Sequence, residues 1–99
     1  MNGKFEELIQ SDKPVIIDFF AEWCGPCKVQ SPILQEVAIE LGDHVKVIKI
    51  DVDKNPQIAN NYRIQGVPTL MVFKKGQLLF RQAGLMQKPQ LLNLIRQNI

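Results

Sequence analysis

Most of what would declare a function outright is scarce in this sequence. Among 99 residues there is one His, one Trp, one Tyr and two Cys. A structural zinc takes four Cys or His ligands, and His44 with the two cysteines falls short, so a metal centre would need a second chain. Charge of either sign is unremarkable: 12 basic against 10 acidic residues leave a net +2. The basic residues are scattered from Lys4 to Arg96, which gives no nucleic-acid footprint. No apolar run approaches the length of a membrane span. The start, Met1-Asn2-Gly3-Lys4-Phe5-Glu6-Glu7, lacks the basic-then-apolar order of a secretory leader. No nucleotide-binding fingerprint, repeat, linker or low-complexity tract is present. The expectation is one domain over residues 1–99, soluble and cytoplasmic, binding neither nucleic acid nor membrane.

What is present is concentrated. Both cysteines fall in Trp23-Cys24-Gly25-Pro26-Cys27-Lys28. The loop they would close is too short to restrain an unfolded chain much, so their use is reactive rather than structural. The reactive species is the thiolate, which attacks sulfur and can exchange two electrons with a disulfide. The apolar, β-branched run Pro14 to Phe20 precedes the pair and reads as a buried strand. Apolar positions Val29, Ile33, Leu34, Val37, Ala38 and Leu41 follow at helical spacing, and Gly42 supplies the stop. Cys24 therefore stands at a helix N-terminus, where free N–H groups and the helix dipole favour an anion. Pro32 predicts a bend near Lys28.

The rest of the chain divides into short elements. Phe5, Leu8 and Ile9 predict an amphipathic helix that stops at Ser11-Asp12-Lys13-Pro14. Val45 to Asp51 predicts a second buried strand, and strand, helix, strand in this order predicts a right-handed parallel crossover. Asn55-Pro56 opens a short helix to Asn61. Thr69 to Lys74 and Leu78 to Ala83 predict strands joined through Lys75-Gly76-Gln77. A closing helix begins at Lys88-Pro89, with Leu91, Leu92, Ile95 and Ile99 on one face. Asp18, a lone acid inside an apolar strand, demands a reason: buried without a partner it would take a raised pKa and suit proton transfer.

Asp18 to Lys28, Lys49-Ile50-Asp51-Val52-Asp53, Gly66-Val67-Pro68-Thr69, Lys74-Lys75-Gly76 and Gly84 closely resemble the thioredoxin family, in order and over nearly the whole chain. The resemblance implies an α/β thioredoxin fold, a central mixed sheet of about four strands flanked by helices. It also implies a protein-disulfide reductase in which Cys24 attacks a client disulfide and Cys27 resolves the mixed disulfide. Asp18 would accept the proton of Cys27, with Lys49 as its neighbour. Trp23, Gly25, Pro26, Val52, Gly66, Val67, Pro68, Ala83 and Gly84 would form the surface that receives the client, and the Val67-Pro68 bond would be cis. No cofactor is implied beyond the redox-active Cys24–Cys27 disulfide. The partners implied are disulfide-containing client proteins and a thioredoxin reductase, with the electrons arriving from an NADPH-dependent flavoprotein or by another route, serving electron transport and cell redox homeostasis. Other readings of the same residues are a thiol oxidant or isomerase of this fold, a binding subunit using the same surface, and a zinc-bridged dimer. Gly-Pro between the cysteines favours the reductant, since related oxidants usually carry a histidine there.

Two departures from the family pattern stand out. Phe20 occupies a position where many relatives carry a tryptophan whose ring N–H bonds the acid at Asp53, so Asp53 must find another partner. The family's first strand has no counterpart before Lys4. In the family's sheet order that leaves the Val45 to Asp51 strand at an edge, with a monomer that dimerises weakly through it.

Overall fold

In a computed structural model, which describes residues 3–99, four strands form one sheet and four helices cover its two faces. Met1 and Asn2, the start of the segment read for a leader, lie outside the described residues. The elements are α1 (Gly3–Leu8), β1 (Val15–Phe20), α2 (Gly25–Leu41), β2 (Lys46–Asp51), α3 (Pro56–Asn61), β3 (Thr69–Lys74), β4 (Gln77–Ala83) and α4 (Lys88–Arg96). A single 3-10 turn, Gly42–His44, follows α2.

The sheet order is β2-β1-β3-β4. β2 runs parallel to β1 after the α2 crossover, whereas β3 and β4 are antiparallel to their neighbours. Alternation along the two central strands sorts the core into two layers, because successive side chains point to opposite faces. Ile16, Leu70 and Val72 pack with Leu34, Val37, Leu91 and Ile95 on the α2 and α4 side. Val15, Ile17, Phe19, Met71 and Phe73 pack with Phe5 and Ile58 on the α1 and α3 side. Asp18 is in phase with Ile16 and so faces the helix that carries the cysteines.

Three predictions need correction. The strand over Val45 to Asp51 is not a buried one: β2 (Lys46–Asp51) has Lys46 and Lys49 exposed and only Asp51 buried, and it is the edge strand that the family's sheet order implies. Val29 is 52% exposed and Gln30 fully buried, so the inward stripe of α2 is Gln30, Leu34, Val37 and Leu41. Ile99 lies beyond α4 and is exposed. The turn between β3 and β4 is also tighter than predicted. Only Lys75 and Gly76 lie between the strands, both with positive φ (53° and 80°), the backbone that a two-residue hairpin of the observed twist requires. α2 runs unbroken through Pro32.

Candidate active site

The N-terminus of α2 is capped by a sulfur. Cys24 has extended backbone, φ −88° and ψ 112°, and its Sγ accepts the Cys27 N–H at 3.1 Å. Proline in the first helical turn is at home, since its missing N–H would have had no partner inside the helix. The turn brings the two Cα atoms to 5.3 Å, and the sulfurs form a disulfide. Both cysteines are buried, at 3% and 4% exposure, and pack with Ala21, Phe20, Val52 and Val67. Gly25 and Pro26 remain exposed beside them. The N–H at Cys24 Sγ stabilises negative charge on that sulfur once the disulfide is opened.

The loop before β3 closes over the pair. Val67-Pro68 is cis, as the resemblance implies. The Val67 carbonyl oxygen lies 3.5 Å from Cys24 Sγ. Among the described residues, the Val67 main chain has no main-chain partner. Thr69 Oγ1 donates to the Gly66 carbonyl at 2.7 Å, and Gly84 N–H donates to the Pro68 carbonyl at 2.8 Å. Ala83 lies opposite Thr69 in the β3–β4 register. Trp23, Val52, Gly66 and Val67, with Ile64 and Gln65, line a shallow cavity of about 120 Å³. Ile64 and Gln65 are additions to the surface residues named from the sequence.

Asp53 finds the partner that Phe20 cannot supply. Trp23 Nε1 donates to Asp53 Oδ2 at 2.8 Å, which ties the residue before Cys24 to the turn after β2. That turn is itself held by Asp51 Oδ1, which accepts the N–H groups of Asp53 and Lys54 at 2.9 and 3.2 Å. Lys54 lies 3.3 Å from Glu22, an exposed pair that contributes little.

Asp18 is fully buried and neither carboxyl oxygen has a hydrogen-bond partner among the described residues. Burial pushes its pKa from 3.8 up to about 6, while the Lys49 charge pulls the other way. Lys49 is the β2 residue level with Asp18, but its ammonium turns elsewhere. Nζ donates to Ser31 Oγ at 2.8 Å and sits 4.5 Å from the centre of the Phe20 ring. The pairing of Lys49 with Asp18 therefore acts through space and not through an ion-pair contact. Phe20, Cys27, Lys28, Ser31, Pro32, Lys49 and their neighbours surround a second cavity of about 510 Å³. Among the described residues no cluster of His, Cys, Asp or Glu is arranged to hold a metal.

This geometry has close counterparts among known proteins. A family model of thioredoxin matches residues 1–97. Thioredoxin from Rickettsia typhi (strain ATCC VR-144 / Wilmington) is 47% identical over 93 residues, covering 94% of this chain and 89% of that protein. Among solved structures, chloroplastic thioredoxin z superposes with a TM-score of 0.87 at 39% identity, over 99% of this chain and 90% of that one. Mitochondrial thioredoxin 3 from Saccharomyces cerevisiae, in its oxidized form, gives 0.85 at 34% identity, over 96% and 88%.

Proposed function

This chain belongs to the thioredoxin family and is a thiol–disulfide oxidoreductase, and on that premise we propose how its residues divide the work. The observation that carries the reading is the sulfur cap: the Cys27 N–H aimed at Cys24 Sγ supports Cys24 as the nucleophile. Its thiolate attacks one sulfur of a client disulfide, forming a Cys24–client mixed disulfide and releasing the other client sulfur as a thiolate that takes up a proton. Cys27 then loses its proton and attacks Cys24 Sγ. The Cys24–Cys27 disulfide forms and the second client thiolate leaves. Asp18 accepts the Cys27 proton, directly or through water, because a carboxyl of pKa about 6 is charged but still basic near neutrality. Lys49 biases that proton affinity downward through its charge.

The Val67 main chain, without a main-chain partner among the described residues, supports its use as a pairing edge for an extended client segment. Trp23, Gly25, Pro26, Val52, Gly66, Pro68, Ala83 and Gly84 complete the receiving surface. A flavoprotein thioredoxin reductase drawing on NADPH returns two electrons and two protons to the disulfide. No helix is long and apolar enough to cross a membrane among the described residues, and we place the protein in the cytoplasm, working as one domain on client proteins.

Equilibration against a dithiol buffer is expected to give a potential near the thioredoxin value of about −270 mV. A value above about −200 mV would instead identify an oxidant or isomerase. The unpaired outer edge of β2 supports weak self-association. Sedimentation is expected to show a monomer with concentration-dependent dimer, and monomer alone at millimolar protein would remove that edge as a contact.

A further inference from the structure

Gln30 is a fully buried amide whose two hydrogen bonds both go to a residue 56 positions away. Its Nε2 donates to the Met86 carbonyl at 3.0 Å, and its Oε1 accepts the Met86 N–H at 2.8 Å. Met86 is itself fully buried, in the Gly84 to Gln87 segment between β4 and α4. Among the described residues, neither of its main-chain polar groups has a main-chain partner. One side-chain amide thus does what a strand or helix neighbour would do, and the donor and acceptor it faces allow only one orientation of the amide.

The segment is held at its other end as well. Gly84 N–H donates to the Pro68 carbonyl at 2.8 Å, and Val67, on the far side of the cis bond, contacts Cys24. Leu85 lies between the two fixed points with 36% of its surface exposed. Gln30 lies one turn after Cys27 on the buried side of α2. The helix that presents the dithiol therefore also holds the far end of the wall beside it.

We propose that Gln30 is a positioning residue for client recognition: through Met86 it holds Gly84 and Leu85 as a preformed apolar wall for an extended protein segment carrying the disulfide. The inference rests on Gly84 and Pro68 facing the client. A wall already ordered before binding spares the complex the entropy of ordering it, so the gain appears in KM for protein disulfides. A small disulfide that engages only the sulfur does not reach the wall and gains nothing.

Gln30→Met keeps length and volume but removes both hydrogen bonds. With insulin as the probe, KM is expected to rise about fivefold while kcat stays within about twofold. The rate with hydroxyethyl disulfide and the reduction potential are expected to hold. Amide exchange at Leu85 and Met86 is expected to quicken selectively. Faster exchange at Met86 with an unchanged insulin KM would overturn the proposal, leaving Gln30 as a staple of the fold alone. Should Gln30→Met not fold, Leu85→Ala keeps both hydrogen bonds and removes only the exposed side chain. It is expected to raise the insulin KM, and an unchanged KM overturns the proposal. Wild-type protein inert toward both disulfides would overturn this inference together with the oxidoreductase reading, whereas an unchanged insulin KM in the variants strikes this inference only.

Discussion

Cys27→Ser is expected to turn the protein from a catalyst into a trap, with turnover falling by on the order of 10³-fold or more. The first half of the reaction survives the change. The donor at Cys24 Sγ is the main-chain N–H of residue 27, at 3.1 Å, and serine supplies the same group. Client disulfides are therefore still attacked, and the mixed disulfide on Cys24 still forms. Release is what fails. In the native protein the second thiol is delivered by a rigid helical turn, with Cα atoms 5.3 Å apart, and a thiol so held acts at an effective concentration that reaches about 10⁵ M in well-oriented systems. A serine hydroxyl does not displace sulfur, so release then depends on dilute external thiol. Covalent complexes sensitive to reductant should accumulate on non-reducing gels, while Cys24→Ser should yield neither turnover nor complexes. Sustained turnover by Cys27→Ser, or equal trapping in a Cys24→Ser, Cys27→Ser protein, would reverse the assignment of roles.

The parts of this site that the sequence exposes are those where one residue breaks its local pattern. Asp18 interrupts an apolar strand, and two cysteines interrupt the handover from strand to helix. Each irregularity costs something if it serves nothing, which is why it can be read without a structure. The buried/exposed phase of a helix is less accessible. Val29 and Gln30 are adjacent, and hydropathy alone turns Val29 inward. The docking of α2 on the sheet instead aligns Gln30 with Leu34, Val37 and Leu41, an exact helical stripe visible only if a polar residue is admitted to it. Edge position is hidden from the local pattern, because the apolar residues of β2 look alike whether one side of the strand or both have partners, and only the family's sheet order places that strand at the edge. Side-chain reach is the third gap. Lys49 is correctly placed level with Asp18 on the adjacent strand, yet four methylenes let its ammonium choose Ser31 and the Phe20 ring. Asp53 likewise receives its N–H from Trp23, a residue 30 positions away, which no local pattern announces.

Asp18→Asn is expected to stabilise the fold at neutral pH while slowing the release of client. The sign follows from the proton count. Burial raises the folded-state pKa from 3.8 to about 6, so between those values the folded chain keeps a proton that the unfolded chain has lost. Stability falls as pH rises through that window and is constant above it with respect to this group. The full difference corresponds to about 3 kcal/mol by the conversion of roughly 1.4 kcal/mol per pKa unit. Asparagine is uncharged at every pH and avoids this penalty, though its buried amide also lacks a protein partner and returns part of the gain. Denaturant titrations at pH 4 and pH 8 should therefore show the native protein losing stability between the two relative to the variant, with the variant ahead at pH 8. The same uncharged side chain has no basic oxygen to take the Cys27 proton. Resolution of the mixed disulfide is expected to slow by about a hundredfold, the lower range for loss of a general base, while the first attack by Cys24 proceeds. Single-turnover reduction of a client would separate the two steps. A variant that gains stability at pH 8 but resolves at the native rate would leave Asp18 as an electrostatic burden with no part in proton transfer. A variant that slows resolution without the stability gain would mean that the folded-state pKa of Asp18 is not raised above its unfolded value.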